Sequence, residues 1–246
     1  MALRPVDSTP VNAALPSAVL WDMDGTLVDS EPYWIDAETQ LIERFGGTWT
    51  HEDGLQLVGK GLWVSAEIIR AKGVPWDADR VVEHLTSQVA ARIEERVPWR
   101  PGARELIREV TDAAIPTALV TMSTTPLAHL VARFVSAELG ADRNAFDVIV
   151  CGDEVTEPKP HPEAYLTAAN RLGVDIADTV AVEDSPTGLA SAVASGAAAI
   201  AVPHILPIEQ GPTYTVWSTL DGRTLTDLGD VLAAHRSRTT TDRGTA

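Results

Sequence analysis

Basic side chains are scarce in this chain: 19 Lys and Arg stand against 35 Asp and Glu, a formal net charge of −16. Such a balance argues against nucleic acid or an anionic membrane as a partner. A small anionic substrate stays admissible, because a few local cations and a metal can reverse the field inside a cleft. Cysteine is nearly absent too. Cys151 stands alone, which forbids an intrachain disulfide and suits a reducing, cytoplasmic setting; it reads as a buried thiol at a strand end. Aromatic residues make up only 5% of the chain, with seven Trp against three Tyr and three Phe, a ratio with no functional reading. Met1 to Pro16 shows no basic start followed by an apolar block, so no secretory signal is read there. Ser185 to Ile208 lacks charge but is broken by Gly188, Gly196, Pro203 and Pro207. It reads as a buried helix followed by a strand, not as a membrane span, and the chain is expected to be soluble. No internal repeat is visible.

Length and hydrophobicity, 246 residues at 45%, allow one large domain or two modest ones of roughly 150 residues. Residues 1–17 read as a loose arm and Ala18–Trp21 as a first strand. Ser30 is the expected N-cap of a helix with Pro32 in its first turn, running towards Phe45 and stopped at Gly46-Gly47. Thr50 to Asp53 has capping-box character. Helical patterns then cover Leu62 to Lys72 and Asp77 to about Arg96. Beyond Pro98 to Gly102 strands and helices alternate, with strands at Thr117–Thr121, Val148–Cys151, Thr179–Val182 and Ala198–Val202. That alternation predicts an α/β fold: a Rossmann-like, mostly parallel sheet with helices on both faces. The helical block 32–97 is expected as an inserted cap, with the core formed by 18–31 and 98–235 and hinges near Val28–Pro32 and Val97–Gly102. Tyr214–Trp217 is a candidate short strand and Leu225–His235 a terminal helix. A disordered tail is expected over 236–246.

The chemistry concentrates at strand ends, where open parallel sheets bind ligands. Asp22 and Asp24 follow the first strand at i and i+2, so they face one spot. Two clustered carboxylates require a hard cation or a shared proton. Gly25 permits a sharp turn, and Thr26 offers a hydroxyl and an N–H. Thr121 and Ser123 close the second strand, Lys159 sits between Pro158 and Pro160, and Glu183, Asp184 and Ser185 follow the fourth. A calcium-loop reading of Asp22-x-Asp24-Gly25 conflicts with Leu27 and Val28 at positions that need oxygen ligands.

Over about Ala18 to Val202 these groups resemble, in order, the four motifs of the haloacid dehalogenase-like hydrolases, in the branch of phosphatases and β-phosphoglucomutase-like enzymes with a helical cap. The resemblance implies a phosphatase acting on a small phosphate monoester through an aspartyl-phosphate. It makes Asp22 the nucleophile, Asp24 the acid and base, and Mg²⁺ the cofactor, held by Asp22, the Asp24 carbonyl and Asp184, with Glu183 as a water-mediated ligand. Lys159 and Thr121 would hold the phosphoryl oxygens, and Gly25, Thr26 and Ser123 would join in binding. In the cap loop, Lys60 is expected to meet an anionic group and Trp63 to pack on a substrate ring. Asp24 argues against a dehalogenase, which lacks the second Asp, and nothing marks Lys60 as the Schiff-base lysine of a phosphonate hydrolase. A sugar phosphomutase is the main alternative, but Trp34 stands where that branch has a His, and the cap loop lacks its Arg. A receiver-type signalling domain is disfavoured by the acidic pair on the first strand and the helical insert. The enzyme is expected to be a monomer, with sugar phosphates, phosphoglycolate-like acids and nucleotides all open as substrates.

Overall fold

The computed structural model describes residues 15–140 and 143–243. Strand β1 (Ala18–Trp21) is followed by four helices, α1 (Glu31–Arg44), α2 (His51–Leu55), α3 (Leu62–Ala71) and α4 (Ala78–Glu95). Then come α5 (Ala103–Asp112), β2 (Thr117–Val120), α6 (Thr125–Leu139), β3 (Val148–Val150) and α7 (Glu163–Leu172). The chain ends with β4 (Thr179–Glu183), α8 (Pro186–Ser195), β5 (Ala198–Ala201), β6 (Tyr214–Val216) and α9 (Leu225–Arg243). All six strands are parallel, in the order β3-β2-β1-β4-β5-β6.

The expected parallel α/β sheet is present. The central strands β1, β2, β4 and β5 are buried along their whole length because helices cover both faces. Val19 and Trp21 of β1 point into one core layer with Leu119, Val182 and Ile200, while Ala18 and Leu20 point into the other with Val120, Ala181 and Tyr165. Burying one side chain such as Leu20 contributes about 2 kcal/mol. Strand order reverses at β1, which pairs with β2 on one side and β4 on the other. A crevice therefore opens beyond the carboxyl end of β1, and Asp22 is the next residue.

The segment from α1 to α4 contains no named strand. Its own core is the buried stripe of α4 (Val81, Val82, Leu85, Val89, Ile93) set against Trp34, Leu41 and Ile42 of α1, with apolar residues recurring at helical spacing. Thr50 and Asp53 form the reciprocal cap at the start of α2. The two crossings between this block and the sheet lie side by side. The Asp29 N–H donates to the Pro98 carbonyl at 2.6 Å, and the Arg100 N–H to the Leu27 carbonyl at 2.9 Å.

Two local expectations need correction. Ser30 precedes α1, but its side chain makes no cap hydrogen bond; the hydroxyl is engaged elsewhere, as described below. Nor is the described part of the tail, up to Arg243, without structure, since α9 runs through it. Leu228, Val231 and Leu232 are buried in the core, the Arg236 guanidinium pairs with Asp178 at 2.5 Å, and the Thr240 hydroxyl donates back to the Arg236 carbonyl. The last turns are polar on every side, so no apolar stripe announces them. Residues 1–14 of the expected arm lie outside the described residues. Among those described, no helix is long and apolar enough to cross a membrane.

Candidate active site

Asp22, Lys159, Glu183 and Asp184 meet beyond β1 and β4, and all four are buried. Lys159 Nζ donates to Asp22 Oδ1 at 2.8 Å, to Glu183 Oε1 at 2.7 Å and to the Val120 carbonyl at 2.8 Å. An ammonium has three protons, and each has an acceptor here. Tyr165 adds its hydroxyl to Glu183 Oε1 at 2.6 Å. Burial works against the Lys159 charge, but Asp22 and Glu183 outweigh it and hold the lysine above its ordinary pKa.

One lysine does not balance three carboxylates. Asp22, Glu183 and Asp184 each present an oxygen, all within 4.8 Å of one another. Burial, with Glu183 adding to it, pushes Asp22 up to about 7 in spite of Lys159. Asp184 is pushed well up by burial and then by Asp22. Asp184 Oδ1 accepts the Thr26 hydroxyl at 3.4 Å, while Oδ2 is buried without a partner. An all-oxygen set with excess negative charge and an orphaned carboxylate oxygen fits a hard divalent cation such as Mg²⁺. Gly25 makes the approach possible: its φ is +81°, and a Cβ there would lie 2.1 Å from Asp184 Oδ2.

Asp24 leaves the same strand end for a different environment. Its Oδ1 accepts the Ser30 hydroxyl at 2.5 Å and the Trp34 indole N–H at 3.1 Å. Its Oδ2 accepts Ser123 at 2.7 Å and Thr121 at 3.3 Å. Four donors thus fix the orientation of this carboxyl group. The Thr121 hydroxyl also accepts the Ser123 N–H at 3.0 Å.

Over these groups lies a cavity of about 70 Å³. Its floor is Asp22, Asp24, Thr121, Ser123, Lys159 and Asp184, and its roof comes from α1, the loop ahead of α3, and α3 itself. Lys60 is among the lining residues. The loop is seated close to the sheet: a Cβ on Gly59 would lie 2.7 Å from Ser185 Oγ. Trp63 corrects an expectation. It belongs to the first turn of α3, donates to Asp79 at 2.8 Å and lines a different groove against α4 and α6, because helical geometry turns it away from Lys60. Gly25 and Thr26 do not line the cavity either; they support Asp184 from behind.

Several cavity and support residues escape sequence reasoning. Glu31 and Glu38 of α1 are 8% and 5% exposed and line the roof with Trp34. Burial, then Asp24, pushes Glu31 up to about 8, and burial pushes Glu38 up to about 8. The available signal was Glu38 itself, an acidic residue inside the stripe Trp34, Ala37, Glu38, Leu41, Ile42. Tyr165 gave no signal beyond its place in a helix.

A parallel sheet whose central strand ends in such an acidic, lysine-countered centre defines an α/β enzyme. A profile of the haloacid dehalogenase-like hydrolases matches residues 16–196, and the chain belongs to that family. It is 30% identical over 215 residues to hexitol phosphatase B of Escherichia coli O157:H7, covering 86% of this chain and 93% of that one. It is 32% identical over 183 residues to the phosphorylated carbohydrates phosphatase of Thermotoga maritima, covering 73% and 81%. The crystal structure of CbbY from Rhodobacter sphaeroides in complex with phosphate superposes with a TM-score of 0.75 at 26% identity, over 87% of this chain and 99% of that one.

Proposed function

We propose that the protein is a Mg²⁺-dependent phosphatase that hydrolyses a small sugar or polyol phosphate through an aspartyl-phosphate on Asp22. The observation that carries this reading is the division of labour between the two aspartates: Asp22 faces Lys159 and the acidic cluster, whereas Asp24 sits in its own cradle of four donors. An oxygen of Asp22 attacks phosphorus and the bond to the ester oxygen breaks. Asp24 gives its proton to the departing oxygen, then takes one from the water that attacks the aspartyl-phosphate, releasing inorganic phosphate and restoring Asp22. Lys159 offsets charge on Asp22 and on the phosphoryl oxygens, with Thr121 and Ser123 keeping Asp24 aligned. Asp22 and Asp184, with Glu183 and the Asp24 carbonyl beside them, would hold Mg²⁺, which neutralises charge on the transferring group. Trp34 in place of a His supports hydrolysis over the phosphomutase alternative, and the buried lone Cys151 supports a cytoplasmic setting.

The test is phosphate release from para-nitrophenyl phosphate and from a panel of sugar and polyol phosphates, with and without Mg²⁺. Asp22→Asn is expected to lower kcat by about a thousandfold or more. Full Mg²⁺-dependent activity in that variant overturns the mechanism.

A further inference from the structure

His204 follows β5, and its imidazole is the one ionisable side chain between Ser185 and Ile208. It reaches across the molecule to Asp29: His204 Nε2 and Asp29 Oδ1 are hydrogen-bonded at 2.7 Å. Among the described residues, no other side chain hydrogen-bonds Asp29. Asp29 stands in the first crossing from the sheet into the helical block. Backbone bonds hold that crossing to its immediate surroundings: the Gly25 N–H donates to the Val28 carbonyl at 2.8 Å, and the Asp29 N–H to the Pro98 carbonyl of the second crossing. His204 adds a tie to the far side of the sheet, beyond β4. The next residue in the chain is Ser30, whose hydroxyl donates to Asp24 Oδ1 at 2.5 Å. A continuous path thus runs from the end of β5 to the aspartate expected to move protons. Its links are the His204–Asp29 hydrogen bond, the peptide bond from Asp29 to Ser30, and the bond from Ser30 to Asp24.

We propose that His204 is a positioning residue for the acid–base step: by fixing Asp29 it sets the placement of Ser30 and, through Ser30, the direction of the Asp24 carboxyl group. The inference rests on the phosphatase reading above and deepens it. His204 does not line the cavity, so it acts through these residues and not on the substrate. Misplacing a reacting group by about 1 Å can cost as much as about a hundredfold in rate. The Asp29 side chain is 38% exposed, so removing its partner leaves it hydrated and does not threaten the fold.

The experiment uses the leaving group as its probe. The oxygen of a sugar or polyol needs a proton to depart, whereas para-nitrophenolate departs without one. The ratio kcat/KM reports the steps up to that departure, so the later action of Asp24 on water does not enter it. His204→Ala is expected to lower kcat/KM about tenfold for the sugar or polyol phosphate that the wild type uses best, and less than about twofold for para-nitrophenyl phosphate. His204→Gln, whose amide offers both a donor and an acceptor, is expected to retain most of the activity. In a Ser30→Ala background, His204→Ala should add little, because the path to Asp24 is already cut. An equal loss on both compounds, or full additivity of the two substitutions, overturns the inference. Asp24→Asn separates it from the reading on which it rests. If that variant shows no dependence on the leaving group, the assignment of Asp24 as acid fails; dependence in Asp24→Asn without dependence in His204→Ala refutes the role of His204 alone. Amide exchange adds a measurement without turnover: the Asp29 N–H is expected to exchange about tenfold faster in His204→Ala, and unchanged exchange also overturns the inference.

Discussion

The indole nitrogen of Trp34 lies 3.1 Å from Oδ1 of Asp24 and donates to it. A helix of the inserted block therefore touches the carboxyl group expected to move protons, and the position of that helix reaches the chemistry directly. Trp34→Phe keeps the ring and deletes the donor. It is expected to lower kcat about tenfold, in line with one lost hydrogen bond, while Trp34→His, which retains an N–H, recovers part of the loss. Steady-state kinetics on the purified variants check this.

Lys159 is the counter-charge to two buried carboxylates, at 2.8 and 2.7 Å. Lys159→Met leaves them uncompensated, a loss of about 3 kcal/mol. For a chain of this length that corresponds to a fall in Tm of roughly 6–12 °C. Thermal unfolding followed by circular dichroism would read it, and an unchanged Tm would refute the role of the ion pair.

Metal binding should release protons. Asp22 is held up to about 7 and Asp184 well above its ordinary value, chiefly by burial, so both carry protons that a cation must displace. Mg²⁺ affinity is expected to rise with pH as pH approaches 7, by up to about tenfold per unit for each proton displaced. Calorimetric titration in two buffers of different ionisation enthalpy measures the protons released.

Glu38 makes a separate pH prediction. Its pKa is raised from 4.5 to about 8, so the folded protein holds a proton that the unfolded chain releases. Its contribution to stability is greatest below pH 4.5 and is lost as pH rises to about 8. Glu38→Gln does not titrate, so its Tm relative to wild type should climb between those limits. Parallel pH series of melting curves test the sign.

Gly25→Ala places a methyl group where Asp184 Oδ2 now lies, 2.1 Å from the added carbon, at a φ of +81°. Displacing that oxygen is expected to weaken Mg²⁺ binding about a hundredfold, read by titrating activity or heat against Mg²⁺. Unaltered affinity would show that Asp184 is not a ligand.

The sheet was legible because apolar runs and their glycine stops are local signals: Gly173 and Gly196 end α7 and α8 in the left-handed conformation, as their positions imply. The strand-end residues Asp22, Asp24, Thr121, Lys159 and Asp184 were readable for the same reason. What escaped depends on contacts far apart in sequence. Ser30 looked like a helix cap until the fold brought Asp24 within reach of its hydroxyl. Trp34 in the sequence signals only the absence of a His; its N–H finds Asp24 through the fold. Trp63 lies close to Lys60 in sequence, but each step along a helix turns a side chain through about 100°.

Strand β1 is hydrogen-bonded on both sides, to β2 and to β4, and Asp22 continues its ladder through an N–H to the Val182 carbonyl at 3.0 Å. Amide protons along this stretch are expected to exchange slowly, because their release requires opening the centre of the sheet. The acidic centre is thus anchored to a strand paired on both sides, while the roof of the cavity belongs to a block joined through two short crossings. Substrate choice can drift through changes in that roof with little consequence for the folding cooperativity that holds the aspartates in register.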